Sequence, residues 1–257
     1  MIALGRRSVL LVGLSLIATA CGRKGPLLYP DMLIPAAPAA VVAHQSGSVV
    51  KLQFALPDKD RAGHPVQGLA GVKISKRAVD TAQKDVCRSC MTDYRLFRTL
   101  YLDHLPADTQ RFGSRLILLD SDVTAGNMYS YRIVPFTADG VDGASSPTVD
   151  AIVAVPLPAP VLTIESYPTE LKLRFSSHTP ISGHLVGYNL YRTTLTGAKS
   201  FQPMNSEPLK GNEYVDSALE RGVKYRYSGR ELLRLPEGNV VESVDSVAVE
   251  GILKDDE

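Results

Sequence analysis

The strongest constraint on this chain is that it repeats itself. Leu119-Asp120-Ser121-Asp122-Val123-Thr124-Ala125-Gly126-Asn127-Met128-Tyr129-Ser130-Tyr131 aligns without a gap to Val215-Asp216-Ser217-Ala218-Leu219-Glu220-Arg221-Gly222-Val223-Lys224-Tyr225-Arg226-Tyr227. Two shorter matches precede it in the same order. Lys51-Leu52-Gln53-Phe54 pairs with Lys172-Leu173-Arg174-Phe175, and Leu69-Ala70-Gly71-Val72-Lys73-Ile74 with Leu185-Val186-Gly187-Tyr188-Asn189-Leu190. A repeat of about 100 residues with seven strand-like runs has the size of a β-sandwich domain, not of a solenoid unit.

The patterning agrees. Prolines number 17 and glycines 20, Val, Leu and Tyr are plentiful, and almost no long apolar stripe of helical period is present, which predicts an all-β chain. In the first copy, residues 41–154, strands are expected at 41–44, 48–55, 70–77, 93–101, 115–120, 127–137 and 147–154. In the second, residues 161–254, they are expected at 161–165, 170–176, 185–192, 200–204, 212–215, 223–232 and 240–250. The linker at 155–160, Val-Pro-Leu-Pro-Ala-Pro, is short and stiff, so the pair should form a semi-rigid rod.

Both copies resemble the fibronectin type III family, from about Val41 to Leu253. The apolar-to-tyrosine spacing of Val123 to Tyr129, and of Leu219 to Tyr225, matches that family at the approach to its sixth strand. The resemblance implies two tandem seven-stranded sandwiches and a tyrosine corner in each, with the Tyr129 and Tyr225 hydroxyls bonded back to the backbone. The family's usual second-strand tryptophan is missing, and Phe54 and Phe175 stand in its place.

Ahead of the repeats, Arg6 and Arg7 precede an apolar run from Val9 to Ile17 that ends in small residues before Cys21. The order is that of an export signal, residues 1–20, and the run is too short to span a bilayer. Ala18-Thr19-Ala20-Cys21 resembles a bacterial lipobox, which implies a diacylglyceryl group and an amide-linked acyl chain such as palmitate on Cys21. Two acyl signals anchor stably where one binds only marginally. The alternative is an ordinary secretory leader cleaved after Ala20. Gly22, where aspartate would retain a lipoprotein in the inner membrane, resembles lipoproteins sent to the outer membrane of a Gram-negative cell.

Cys21-Gly22-Arg23-Lys24-Gly25-Pro26-Leu27-Leu28-Tyr29-Pro30 also resembles the attachment segment of LptM-type lipoproteins, which implies association with the lipopolysaccharide translocon. The other reading is a generic basic, stiff lead-out. Pro26, Pro30, Pro35 and Pro38 make residues 21–40 a proline-rich tether, expected to run extended.

Charge narrows the partners. The formal net charge of +1 becomes −1 once Arg6 and Arg7 leave with the signal, a balance that argues against nucleic acid. No nucleophile elbow, phosphate-binding glycine loop or His-Glu-x-x-His is present, so no enzyme activity, cofactor or metal site is expected. His44, His64, His178 and His184 fall in or beside expected turns and read as solvated, and His104 is a lone neighbour of the cysteines. Asp120 and Asp216 read as backbone caps before the tyrosine-corner turns.

Cys87-Arg88-Ser89-Cys90 sits in an insertion that the second copy lacks. An oxidising compartment pairs Cys87 with Cys90, and so short a loop stabilises by about 2 kcal/mol. A thiol-redox role is the alternative, whereas a metal would need more ligands than the two cysteines and His104 supply. Downstream, Arg95, Phe97 and Tyr101 interleave aromatic and basic side chains as protein contacts do, although the same alternation describes the two faces of a strand.

These readings converge on a non-catalytic binding or spacer module, held by lipid to the outer membrane and facing the periplasm or the cell surface. Its expected partner is an envelope protein complex. The alternatives are an assembly factor at the lipopolysaccharide translocon and a redox lipoprotein using Cys87 and Cys90.

Overall fold

Strict alternation builds the first core. Val50, Leu52 and Phe54 occupy every second position of one stretch and are all buried, as a half-buried strand requires. The computed structural model describes residues 29–82, 93–177 and 183–254. Its first sandwich comprises β1 (Ala39–Ser46), β2 (Val49–Ala55), β3 (Leu69–Asp80), β4 (Arg95–Tyr101), β5 (Thr109–Phe112), β6 (Arg115–Asp120), β7 (Asn127–Thr137) and β8 (Val149–Ile152). One layer runs β1-β2-β6-β5 and the other β4-β3-β7-β8. Val50, Leu52 and Phe54 meet Val72, Ile74, Tyr131 and Ile133 between the layers, each fully buried side chain contributing about 1.5–3 kcal/mol.

The second sandwich comprises β9 (Val161–Ser166), β10 (Leu171–Ser176), β11 (His184–Thr194), β12 (Glu213–Asp216), β13 (Tyr225–Arg234), β14 (Val240–Glu242) and β15 (Val249–Gly251). Its layers are β9-β10-β12 and β11-β13, with β14 and β15 both paired to β13. Leu171, Leu173 and Phe175 pack on Tyr188, Leu190, Tyr225 and Tyr227. Phe175 stacks on Tyr188 at 4.4 Å between ring centroids, in the space that Gly229 leaves open. The described residues thus form two all-β sandwiches.

Three local differences from the expected strands have physical causes. The Gly113-Ser114 turn, with Gly113 at φ 62, folds β5 back on β6 and adds a strand to the first sandwich. At 200–204 no strand forms, because Pro203 lacks the N–H a ladder needs. Instead Met204 N donates to Leu190 O (2.7 Å), and Leu209 and Tyr188 exchange backbone bonds at 2.9 and 3.0 Å. The expected strand at 240–250 splits in two, since the Ser243 and Ser246 hydroxyls take the Glu231 and Gly229 N–H groups at 3.0 and 2.9 Å.

The amino-terminal strap is not free over its whole length. Beyond Tyr29 it docks on the loop between β2 and β3: Ala36 N donates to Lys59 O (3.0 Å), Arg61 N to Ile34 O (3.1 Å) and Ala62 N to Met32 O (2.9 Å). Ala144 N also donates to Pro35 O (2.9 Å), and Pro35 and Pro38 are buried. Proline's missing donor suits such docking, because carbonyls and non-proline N–H groups on either side carry all the bonds.

The two sandwiches share a sheet. β1 and β14 pair in parallel at Ser46 and Glu242, and Gly47, at φ 61, turns to donate its N–H to Glu242 O at 2.9 Å. One layer of each sandwich therefore continues into the other. The linker is pinned at both ends: the Gln45 amide exchanges two bonds with Ala154 (2.8 and 2.9 Å), and Val244 N donates to Leu157 O (3.1 Å).

Candidate functional site

The residues singled out in the sequence fall in different places. Cys21, Cys87, Cys90 and His178 lie outside the described residues. Tyr129 enters the first core from β7, and its hydroxyl accepts from Thr124 N at 2.7 Å. Tyr225 does the same in the second sandwich, accepting from Glu220 N at 3.1 Å. Beside each lies a repeated cluster: Tyr131 donates to Asp120 and Tyr227 to Asp216, both at 2.7 Å. Lys76 salt-bridges Asp120 at 2.7 Å and Arg192 salt-bridges Asp216 at 2.8 Å. The carboxylates also take the N–H groups of Asp122 and Ala218, capping the turns. Burial first, then the adjacent Asp120 carboxylate, pushes the Tyr131 hydroxyl far above its ordinary pKa; Tyr227 is raised by burial and Asp216. These phenols stay protonated and act as donors.

Arg95, Phe97 and Tyr101 all stand on β4, which among the described residues is an edge strand paired only with β3. Arg95 and Phe97 line an open groove of ≈650 Å³ with Lys76, Asp122 and Tyr129. Phe97 packs against the core, with the Lys76 and Arg98 cations at 4.8 and 5.2 Å from its ring. Tyr101 is at the other end of β4, about 20 Å along the strand from Arg95, where it meets the edge of Phe136 at 5.5 Å. The structure thus brings Arg95 and Phe97 together and leaves Tyr101 apart.

A site that sequence reasoning missed lies where the sandwiches meet. Glu242 of β14 accepts from Ser46 of β1, from Lys51 Nζ of β2 at 3.1 Å, and from Asn189 and Tyr191 of β11, the last at 3.4 Å. Lys51 Nζ also donates to the Tyr191 hydroxyl at 3.0 Å. Around this hub Arg230 donates to Ser46 Oγ (2.7 Å) and grips Asp245 at 3.0 and 2.8 Å, while Lys199 reaches Asp245 at 2.5 Å. A second clamp stands beside it, because the Gln110 amide of β5 donates to Lys199 O and accepts from Phe201 N, both at 2.8 Å.

Lys51 and Glu242 retain side-chain exposures of only 6% and 2%. Burial would raise the Glu242 pKa, but Lys51, His44, the Ser46 hydroxyl and Arg230 together outweigh it and hold the group at about 2. Burial dominates for Lys51, pushing its ammonium below the usual range against the pull of Glu242. His44, expected in a solvated turn, instead lies within β1 beside this hub, where burial lowers its pKa and Glu242 opposes the shift. His64, His104 and His184 are exposed, as solvated histidines should be.

The one signal for the hub was misleading. Lys51 and Lys172 hold the same place in the repeat, yet Lys172 pairs at the surface with Glu213 at 2.6 Å. Among the described residues no three His, Cys, Asp or Glu side chains are grouped to hold a metal ion. The arrangement is suited to holding two modules in a set orientation and presenting strand edges, grooves and loops to a partner.

No family model and no curated protein matches the chain. Among solved structures it is similar to the FN1–FN3 domains of chicken CNTN1, at 13% sequence identity and a TM-score of 0.34, over 86% of this chain and 68% of that one.

Proposed function

We propose that this chain is a lipoprotein of the Gram-negative outer membrane, anchored through acylated Cys21, that serves as a non-catalytic protein-binding or spacer module for an envelope complex. The observation that carries the reading is the hub at Glu242. Two sandwiches joined by a flexible linker would present two independent surfaces; two sandwiches clamped through Lys51, Glu242, Arg230 and Asp245 present one surface of set geometry. Confinement to a membrane plane then raises the effective concentration of that surface for a membrane-bound partner without any new contact.

In this reading a Cys87–Cys90 disulfide staples the insertion before β4, and the groove at Arg95 and Phe97 is the first candidate contact. The alternating aromatic and basic side chains there suit a protein interface, and the edge of β4 that has no partner strand among the described residues offers backbone groups to an extended partner segment.

The test is affinity purification from gently solubilised envelopes of the native protein beside a Cys21→Ala form, with mass spectrometry of what accompanies each. Recovery of one envelope complex by both forms, reduced by Arg95→Glu with Phe97→Ala, is the expected result. Recovery of lipopolysaccharide-translocon subunits by the acylated form alone would transfer the role to the segment Cys21 to Pro30 and make this an assembly factor.

A further inference from the structure

The docked strap orients the molecule on its membrane. Tyr29 is only eight residues past Cys21, at most about 28 Å of fully extended chain. Between Met32 and Ala36 the strap is bonded to Lys59, Arg61, Ala62 and Ala144 at one end of the first sandwich. The Arg61 guanidinium adds a bond to Asp31 O at 3.2 Å and an ion pair with its carboxylate at 3.7 Å.

β1 leaves this end at Ala39 and reaches the second sandwich at Ser46, about 23 Å away at 3.3 Å per residue. β13 continues in the second sandwich from the joint, where Leu232 pairs with Glu242, to Tyr225, about 23 Å further at the same rise. The strap and the Ser217 turn therefore stand at opposite ends of the molecule.

A second observation points the same way. Large apolar side chains are more exposed at the strap end, with Tyr29 (63%) and Leu33 (54%) on the strap, Tyr101 (54%) at the end of β4 and Val141 (43%) in the turn after β7, than at the far end, where Tyr167 (40%), Val215 (43%) and Ile252 (38%) stand. Tyrosine with aliphatic neighbours is the composition that settles at a membrane–water interface.

We infer that the end of the first sandwich bearing the strap, the loop at 58–66 and the turn at 138–144 faces the lipid surface, and that the second sandwich projects away from it. The inference rests on Cys21 being the acylated anchor. The strap converts a lipid attachment that would otherwise allow any tumbling into one with a membrane-facing end and a distal end.

The chain contains no tryptophan, so single replacements are clean reporters. Lys59→Trp marks the strap end and Ser217→Trp the distal end; both positions are exposed. Each full chain is purified acylated and bound to phosphatidylethanolamine–phosphatidylglycerol vesicles doped with a dansyl lipid, and indole emission is read. Energy transfer should remove most of the emission at position 59 and leave that at position 217 unchanged. Equal transfer from both, or more from 217, overturns the inference. Pro35→Asp, which forces a charge into the buried strap, should cut transfer at 59 several-fold; undiminished transfer would show that the strap does not orient the chain.

The mass of the Cys21 peptide and flotation with vesicles report separately on the anchor. If no acyl groups are found, the anchor reading falls, and the orientation is read on a Cys87→Ser, Cys90→Ser chain coupled through Cys21 to a maleimide lipid. The same two reporters then give the same decision.

Discussion

Glu242 shows how much one side chain can do when it is buried with four partners. Its ordinary value of 4.5 falls to about 2 in the folded chain, so the sign of the linkage follows directly. A depressed carboxyl stabilises the fold fully above pH 4.5 and loses that contribution as pH falls toward 2. The difference is worth about 3 kcal/mol at roughly 1.4 kcal/mol per pKa unit. Denaturant titrations at a series of pH values should therefore show a steep acid loss in the natural chain and a flatter profile in Glu242→Gln. At neutral pH, Glu242→Gln should cost about 3–5 kcal/mol, because Lys51 is left buried without its counter-charge. Adding Lys51→Met should recover much of that cost, and a double-mutant cycle measures the coupling. A cost that persists undiminished in the double variant would mean that the pair is not what holds the joint.

The tyrosine corners set the comparison at the same scale. Removing the Tyr129 or Tyr225 hydroxyl with phenylalanine leaves the Thr124 or Glu220 backbone N–H without its acceptor, and in the first case also loses the Asn127 amide's contact; each should cost about 1–3 kcal/mol. Equal effects from both would reflect their repeated geometry, in which Tyr129 and Tyr225 accept at 2.7 and 3.1 Å.

At the scale of elements, the third strand of each repeat depends on a glycine that lets a neighbouring backbone come close. A Cβ on Gly71 would lie 2.2 Å from Leu100 O, and one on Gly187, at φ +150, would lie 2.5 Å from Leu209 O. Neither oxygen can move without displacing its strand or loop. Gly71→Ala and Gly187→Ala should each cost about 1–3 kcal/mol or more by chemical denaturation. Gly71→Ala should in addition displace β4 and weaken any partner held by Arg95 and Phe97. The split strand after β13 follows the same logic, since serine hydroxyls satisfy the β13 N–H groups that a continuous ladder would have used. The signal for that break was present in Ser243 and Ser246, but serine is as common on strand surfaces as in such caps. Likewise the turn that creates β5 was written in Gly113-Ser114, and only its pairing with β6 made it a strand.

For the whole molecule, the consequence of the joint is cooperativity. The linker, β1, β2 and β5 of the first sandwich are all bonded to the second, so the natural chain should unfold in one transition. Gln45→Ala combined with Glu242→Ala should separate it into two and broaden the distribution of dimensions seen by small-angle X-ray scattering. Retention of a single sharp transition in that variant would show that other contacts couple the halves.

Sequence by itself determined what local pattern can carry: the all-β class, the two copies, both tyrosine corners and the capping aspartates. The class and the capping aspartates depend on residues within about a dozen positions of one another, where alternation and turn chemistry are sufficient physical causes; the two copies show as the same pattern recurring about 100 residues on, and the corners came through the family resemblance that this pattern carries. Tertiary structure alone decided which of two equivalent lysines is buried. Lys51 and Lys172 sit in nearly identical tetrapeptides, yet Lys51 reaches Glu242 across 191 residues while Lys172 stays at the surface. It likewise decided that the proline strap docks and that His44 is half-buried in β1 beside the hub. Such outcomes depend on which surfaces meet when two complete domains pack, and burial against a distant partner leaves no periodic mark in the chain.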